Sequence, residues 1–210
     1  NKIEKLMEQF VTNHPLFSEM KLVRTLTKII PESHVLFLGN SLPVREVDFY
    51  GSGNGSKVKV GLNRGASGID GLVACSTGYS KGLNQPLTLL LGDLSLLHDL
   101  NSLKLISESP KPIVLVVLNN HGGGIFSFLP VSEHKDIFET YFSTPHSLEF
   151  KDAAKMFKLS YFNPESPEEF ESIYLKQASA DKSCIIEVNT LKEDNIRVQK
   201  EWTEFLHQNR

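Results

Sequence analysis

Two apolar runs, separated by one amphipathic stretch, restrict what this chain can fold into. The runs are LTLLLGD (87–93) and IVLVVLNN (113–120), and neither alternates with polar residues as a strand with one solvent-exposed face does. Between them, leucine recurs at helical spacing from Leu96 to Leu103, and SPKP (109–112) ends the helix. The segment therefore predicts a β-α-β unit with two parallel, buried strands and a right-handed crossover.

The same alternation of helix and strand continues on both sides of this unit. HVLFLG (34–39) and CIIEV (184–188) are further apolar runs of strand length, and KVKVGL (57–62) alternates as a shorter strand. Two amphipathic helices open the chain, and Ser166 followed by Pro167 starts a late helix. We therefore predict an α/β fold built on a doubly wound parallel sheet with helices on both faces.

The charge and hydropathy of the chain argue against nucleic-acid and membrane partners. The 210 residues carry a formal net charge of -3, and no apolar run approaches the roughly 20 residues of a membrane span. The first ten residues lack the layout of a signal peptide, so we expect a soluble intracellular protein. Cys75 and Cys184 are predicted to be buried thiols, and Glu46 and Glu108 to be surface residues. The scattered histidines do not predict a transition-metal centre.

Two polar residues stand where the central strands end. Asp93 and Asn120 follow consecutive strands, and ligands bind at the carboxyl ends of the strands in open α/β sheets. A carboxylate and an amide oxygen, with a backbone carbonyl most simply from Gly122, form an oxygen-only set that suits Mg²⁺. We therefore predict a magnesium-bound diphosphate, with the helix that begins near Ser95 facing the anion. The alternative is that Asp93 only caps that helix and that Asn119 and Asn120 only make a turn.

Four sequence motifs together resemble one enzyme family. GDLS (92–95) followed by LNN (118–120) resembles the thiamine diphosphate (ThDP) motif of decarboxylase-like enzymes. Three further segments narrow the resemblance to the MenD family of 2-succinyl-5-enolpyruvyl-6-hydroxy-3-cyclohexene-1-carboxylate synthases and to the equivalent module of the plant PHYLLO protein. These segments are GNSLPVREVD (39–48), NRGASGIDG (63–71) and GGGIFSFLP (122–130). The resemblance implies a ThDP-binding domain.

The resemblance also implies which residues bind the cofactor. Asp93, Asn120 and the Gly122 carbonyl would hold Mg²⁺, or Mn²⁺ in its place. The residues that would contact ThDP are Ile69, Gly92, Asp93, Leu94, Ser95, Asn120, Ile125, Phe126 and Leu129. For the apolar members of this set, ordinary core packing is the alternative. His121 and Gly124 depart from residues that are common in relatives, and neither receives a role.

The implied reaction is the decarboxylation of 2-oxoglutarate on ThDP, followed by addition of the resulting carbanion to isochorismate in menaquinone or phylloquinone biosynthesis. Both substrates are anionic. The resemblance assigns Arg45, Arg64 and Ser41 to substrate binding, and the guanidinium fork of an arginine suits a carboxylate. For either arginine the alternative is a solvated surface charge.

The resemblance further implies that the chain is one part of a longer transferase. Residues 1–30 would be a helical segment from the end of a middle domain, and residues 31–210 would be the ThDP diphosphate-binding domain. The glutamate that activates the cofactor would lie in a pyrimidine-binding domain before residue 1, contributed by the partner subunit of a homodimer or homotetramer. We therefore expect no turnover from this chain alone. The compartment would be the cytoplasm of a bacterium or the chloroplast stroma of a plant.

Two other classes of function remain open on the sequence. Another ThDP-dependent carboligase, such as an acetolactate-synthase-like enzyme, would share the metal motif but would not need NRGASGIDG (63–71) or the pair Ser41 and Arg45. A non-catalytic module would keep the fold without using the metal. Preference for 2-oxoglutarate over pyruvate tests the first alternative, and the effect of Asp93→Ala on cofactor affinity tests the second.

Overall fold

A sheet of six parallel strands forms the centre of the molecule in a computed structural model that describes residues 2–209. The strands are β1 Val35–Leu38, β2 Lys59–Leu62, β3 Leu87–Gly92, β4 Ile113–Asn119, β5 Ser160–Phe162 and β6 Cys184–Asn189. Their order across the sheet is β2-β1-β3-β4-β6-β5, and every neighbouring pair is parallel. The strand order reverses between β1 and β3, so the predicted doubly wound α/β fold is confirmed.

Helices connect these strands. Within residues 2–209 the α-helices are α1 Lys2–Asn13, α2 Glu19–Ile29, α3 Leu42–Tyr50, α4 Leu72–Leu83, α5 Asp93–Leu97, α6 Leu103–Ser107, α7 Lys135–Phe138, α8 Lys151–Met156, α9 Pro167–Ala178 and α10 Lys192–Gln208. None of the described helices is both long and apolar enough to cross a membrane.

The single helix predicted between the two central strands is broken in the structure. It forms α5 and α6, with a 3₁₀ turn at Leu100–Ser102 between them. Asp99 lies at the break, and its carboxylate accepts hydrogen bonds from the backbone N–H groups of Val73 and Ala74 at 2.8 and 3.0 Å. These N–H groups are at the start of α4, so the break allows Asp99 to cap a neighbouring helix. The spacing of the leucines predicts a helix but does not indicate such a tertiary contact.

The central strands are buried on both faces, as their apolar runs predicted. Successive side chains of a strand point to opposite faces of the sheet. Leu89 and Leu115 accordingly belong to one layer of the core, while Leu90 and Val116 belong to the other. All four are fully buried. Asp93 and Asn120 directly follow β3 and β4, which places these candidate ligand residues at one edge of the sheet.

The first thirty residues contain two helices, and the second is built into the core of the sheet. Leu22, Val23 and Leu26 of α2 are fully buried in the layer that contains Leu90. α1 packs instead in a smaller cluster with α10. The assignment of residues 1–30 to a preceding domain stays a prediction. Removing α2 would, however, expose one face of the sheet.

The two cysteines differ in exposure. Cys184 in β6 is buried, and burial raises the pKa of its thiol to about 12. Cys75 in α4 is exposed, and its Sγ lies 3.2 Å from Asn63 Oδ1, so the prediction of a buried thiol was wrong at this position. Ser76, the next residue, is fully buried. The small residues around Cys75 indicate close helix packing, but they do not show which face of the helix is inside.

A chain of buried polar groups crosses one layer of the core. His34 Nδ1 lies 3.1 Å from the Thr88 hydroxyl, and His34 Nε2 lies 3.0 Å from the carbonyl oxygen of Ala178. The Thr88 and Tyr174 hydroxyls are 2.7 Å apart. Burial lowers the pKa of His34 below its ordinary value of 6.5, although the hydrogen bond to Ala178 opposes this shift. The ring is therefore neutral in the folded protein near pH 7.

We expect His34 to make the fold less stable as the pH falls below neutrality. Because the folded pKa lies below the ordinary value of 6.5, the unfolded chain binds the proton more tightly. The stability that neutral His34 contributes is fully present above pH 6.5 and is lost as the pH falls towards the folded pKa. The free energy of unfolding then changes by at most about 1.4 kcal/mol per pH unit. Urea unfolding of the wild type and of His34→Gln from about pH 5 to 8 measures it. Parallel stability curves would contradict the prediction.

Candidate functional site

A pocket lies at the carboxyl ends of the central strands. Its wall contains most of the residues that the sequence predicted to contact the cofactor, the metal or the substrate, namely Ser41, Ile69, Gly92, Asp93, Leu94, Ser95, Asn120, Gly122, Ile125 and Phe126. The other lining residues are Glu19, Leu42, Pro43, Leu118, Gly123 and Gly124. The fold therefore brings residues from four separate segments of the predicted site into one cavity.

Asp93 is buried immediately after β3, and three neighbours contact its carboxylate. Oδ1 accepts a hydrogen bond from the Leu94 N–H at 2.6 Å, and Oδ2 accepts one from the Gly122 N–H at 3.0 Å. His146 Nε2 lies 3.2 Å from Oδ2. Burial raises the pKa of Asp93, although both backbone N–H groups oppose the rise. The contact with Leu94 is local to the helix, but the contact with Gly122 is not, so helix capping alone does not describe this side chain.

The Asn120 side chain has a carbonyl oxygen without a partner. Its Nδ2 donates to Glu19 Oε1 at 2.9 Å, which leaves Oδ1 on the other side of the amide. Oδ1 is buried, and no described residue donates a hydrogen bond to it. A buried acceptor without a partner costs about 1–3 kcal/mol. This oxygen therefore fits a site in which a cation or a donor is bound.

The glycine run after Asn120 is a compact turn. Gly122 has a φ of +145°, and a side chain at this position would overlap the carbonyl oxygen of Ser143. The Gly123 N–H donates to the same oxygen at 2.7 Å, and the Gly122 carbonyl accepts from the Gly124 N–H at 3.0 Å. Only glycine meets both the backbone angle and the close approach at position 122. Within residues 2–209, no group of three or more His, Cys, Asp or Glu side chains could hold a metal.

His121 has a left-handed φ of +60° and packs against a second histidine. The centroids of the His121 and His146 rings are 5.9 Å apart. His121 Nδ1 is buried and has no hydrogen-bond partner among the described residues. His146 in turn contacts Asp93. His146 alone of the pair lies against Asp93, and neither histidine lines the pocket.

Asn119 shapes the turn from inside the protein. Its Nδ2 donates to Glu187 Oε1 at 2.6 Å and to the Leu148 carbonyl at 2.9 Å, while its Oδ1 accepts from the His121 N–H at 3.1 Å. Glu187 is fully buried and also accepts from the Tyr161 hydroxyl at 2.8 Å. Glu187 is 68 residues from Asn119 along the chain, so no local sequence pattern could have assigned this role.

Arg45 and Arg64 lie outside the pocket wall and are exposed. Arg45 Nη1 donates to the Ser41 carbonyl at 2.6 Å, and Arg64 Nη1 donates to Asn40 Oδ1 at 3.0 Å. Ser41 itself lines the pocket with a φ of +71°, which is unusual for a residue other than glycine. Leu129 is 47% exposed and is not part of the wall. Substrate binding by the two arginines stays a prediction.

Two buried glutamates next to the pocket were missed by the sequence interpretation. Glu19, in the first turn of α2, is fully buried and lines the pocket. Glu46 is only 2% exposed, so its prediction as a surface residue was wrong. Burial raises the pKa of Glu46 well above its ordinary value, and the nearby Glu19 raises it further. The buried residues of α3 are Pro43, Glu46 and Tyr50, a helical spacing that could have indicated the buried position.

Known synthases match the chain in sequence, although no protein-family model does. A 2-succinyl-5-enolpyruvyl-6-hydroxy-3-cyclohexene-1-carboxylate synthase from Chlorobium phaeobacteroides (strain BS1) is 47% identical over 198 residues, covering 93% of this chain and 34% of the relative. A synthase of the same name from Rubrobacter xylanophilus (strain DSM 9941 / JCM 11954 / NBRC 16129 / PRD-1) is 47% identical over 184 residues, covering 88% of this chain and 32% of the relative.

A solved structure matches the fold. It is an X-ray structure assigned as a thiamin diphosphate-dependent enzyme isolated from Mycobacterium smegmatis, with a TM-score of 0.66 and 18% identity. The match covers 84% of this chain and 32% of that one. The chain therefore has the fold of a ThDP-binding α/β domain, and it spans about a third of the length of the curated relatives it matches. It is related by descent to the 2-succinyl-5-enolpyruvyl-6-hydroxy-3-cyclohexene-1-carboxylate synthases and corresponds to one segment of them.

Proposed function

We propose that this chain is the ThDP diphosphate-binding domain of such a synthase, with Mg²⁺ held by Asp93, Asn120 and the Gly122 carbonyl oxygen. The observation that carries the proposal is the buried, unpartnered Oδ1 of Asn120 in a pocket that Asp93 also lines. Carboxylate, amide and carbonyl oxygens are hard ligands, and Mg²⁺ fills its remaining positions with water and phosphate oxygens. Mn²⁺ accepts the same ligand types.

The remaining wall of the pocket suits the two ends of ThDP. Gly92, Leu94 and Ser95 lie at the turn from β3 into α5, beside Asp93, where they would receive the diphosphate. Ile69, Ile125 and Phe126 are the apolar part of the wall and would exclude water from the reacting carbon. When bound, ThDP supplies carbanion stabilisation. This chain would contribute the cation site and the apolar wall.

The proposed reaction is decarboxylation of 2-oxoglutarate and addition of the product to isochorismate. Arg45 and Arg64 are exposed cations beside Ser41 and Asn40, and they would bind substrate carboxylates next to the pocket. The 47% identity to two synthases supports this reaction over that of a pyruvate-specific carboligase.

The remaining two thirds of the relatives' length would carry the rest of the enzyme. A pyrimidine-binding domain from the partner subunit of a homodimer or homotetramer would supply the glutamate that activates the cofactor. Residues 1–30 would continue from the end of a middle domain. Because the two relatives are bacterial, we place the enzyme in the cytoplasm and its product in menaquinone biosynthesis.

Metal binding tests the proposal on this chain directly. Electron paramagnetic resonance follows Mn²⁺ binding, first without and then with inorganic diphosphate. We expect one Mn²⁺ per chain with an affinity that rises when diphosphate is present, because the anion completes the coordination of the metal. Mn²⁺ binding that does not depend on diphosphate would overturn the site assignment.

Turnover tests the reaction. Alone, the chain should release no CO₂ from 2-oxoglutarate, whereas the longer enzyme should decarboxylate 2-oxoglutarate in preference to pyruvate. Decarboxylation by the chain alone would contradict the assignment of the activating glutamate to another domain. A preference for pyruvate would favour an acetolactate-synthase-like carboligase.

A further inference from the structure

The Asn120 amide can take two orientations, and only one of them offers an oxygen to a cation. A rotation of 180° about the last side-chain bond exchanges Oδ1 with Nδ2, and an amide NH₂ group donates hydrogen bonds but has no acceptor to offer a metal. Glu19 Oε1 lies 2.9 Å from Asn120 Nδ2. Glu19 Oε1 accepts hydrogen bonds from both Asn120 and Thr190, so the flipped amide would place two acceptors against each other. Glu19 therefore selects the orientation with Oδ1 turned away from it.

Glu19 is itself held in place by a ring of buried hydrogen bonds. Its Oε1 also accepts from the Thr190 hydroxyl at 3.0 Å, and its backbone N–H donates to Asn195 Oδ1 at 3.1 Å. Asn195 Nδ2 closes the ring by donating to Thr190 Oγ1 at 3.1 Å. Glu19, Thr190 and Asn195 are all buried. The carboxylate cannot turn away from Asn120 without also breaking its bond to Thr190, which joins α2 to the segment between β6 and α10.

Glu46 supports the same carboxylate from α3. Glu19 Oε2 and Glu46 Oε2 are both buried, and neither has a donor among the described residues. Burial and the nearby Glu19 both raise the pKa of Glu46, which favours its protonated form. A protonated Glu46 can donate a hydrogen bond to Glu19. Such a bond would give the second oxygen of Glu19 a partner.

We propose that Glu19 is a positioning residue that fixes the Asn120 amide with its oxygen available to the cation, and thereby strengthens metal binding through Asn120. This inference rests on the proposed function, because it requires a cation at Asp93 and Asn120. Partners that orient metal ligands typically contribute about 10- to 100-fold in metal affinity.

The test compares Mn²⁺ affinity, in the presence of inorganic diphosphate, for the wild type and three variants. Glu19→Ala should weaken binding about 10- to 100-fold, because the amide is free to rotate. Glu19→Gln should keep most of the affinity, since its carbonyl oxygen still accepts from Asn120 and its NH₂ group can donate to Glu46. Thr190→Val is the comparison variant: it removes one bond that holds Glu19 but leaves the bond to Asn120, so it should weaken Mn²⁺ binding clearly less than Glu19→Ala does.

Three outcomes would overturn the inference. Wild-type affinity in Glu19→Ala would show that Asn120 needs no orientation. Equal losses in Glu19→Ala and Thr190→Val would indicate a general loosening of the pocket, and an equal loss in Glu19→Gln would indicate that the charge matters rather than the hydrogen bond. Thermal unfolding checks that each variant is folded, and Glu19→Met, which keeps more of the side-chain volume, replaces an alanine variant that does not fold.

Asp93→Ala separates a failure of this inference from a failure of the proposed function. If Asp93→Ala loses Mn²⁺ while Glu19→Ala binds as the wild type does, the positioning role is wrong and the metal site stands. If Asp93→Ala also binds as the wild type does, the metal site itself is wrong.

Discussion

Asp93→Ala is expected to lower the affinity for Mn²⁺ in the presence of diphosphate by more than about 100-fold, or more than about 2.7 kcal/mol. Asp93 is the only proposed ligand that can carry a formal negative charge, whereas Asn120 and the Gly122 carbonyl are neutral. Removing Asp93 should therefore lower the Mn²⁺ affinity more than removing a positioning residue does. Electron paramagnetic resonance measures the free Mn²⁺, and calorimetric titration with ThDP and Mg²⁺ gives an independent affinity.

Two companion variants make this result specific. Asp93→Asn keeps the shape of the side chain but removes its charge, so it should also bind Mn²⁺ weakly. Asp99→Asn changes another buried aspartate, whose carboxylate caps α4 and does not line the pocket. It should reduce stability by about 0.5–2 kcal/mol and leave Mn²⁺ affinity unchanged. Undiminished ThDP binding by Asp93→Ala would favour a non-catalytic module that keeps the fold without using the metal.

Gly122→Ala is expected to lower the free energy of unfolding by roughly 2–6 kcal/mol, the combined cost of a strained backbone and an overpacked side chain. A φ of +145° is accessible to glycine and strained for alanine. The new methyl group would also overlap the backbone oxygen of Ser143, which cannot rotate away as the end of a flexible side chain can. Urea unfolding measures the loss.

The matched control is the same substitution at a glycine with open space around it. Gly78 lies in α4, and a Cβ added there meets no atom within 4 Å. Gly78→Ala should raise stability by about 0.5–1 kcal/mol, because alanine is the better helix former. If the 122 turn instead moves aside to admit the methyl group, stability will fall less but Mn²⁺ binding will be lost. The prediction is contradicted if Gly122→Ala has both the stability and the Mn²⁺ affinity of the wild type.

The juxtaposition of Asp93 and Gly122 could be predicted because it depends on one local unit. Two buried strands joined by a helix are parallel, and if they are also neighbours the residues that follow them meet at the same edge of the sheet. The structure has β3 beside β4, and the Gly122 N–H bonds to Asp93 Oδ2 at 3.0 Å. The resemblance in sequence then named the ligand for which such a pair is suited.

Helical phase was the weakest part of the sequence interpretation. Glu46 was placed at the surface and Cys75 in the interior, and the structure reverses both. Whether a residue is charged or small and apolar does not by itself show whether its position is buried, because burial depends on which side of the helix faces the sheet. The break at Asp99 was missed for a related reason, since the groups that it caps belong to another helix.

The parallel α/β core, the polar residues at the ends of its strands and the glycine turn could be predicted from the amino-acid order, because each depends on neighbours along the chain or on one β-α-β step. How the candidate ligands are held could not, because it depends on contacts between distant parts of the fold. Glu19 reaches Asn120 from 101 residues away, and Glu187 reaches Asn119 from 68 residues away. Such contacts depend on how distant elements pack around the finished sheet. The spacing of residues along the chain does not predict such contacts, so the orientation of the Asn120 amide could be assigned only from the structure.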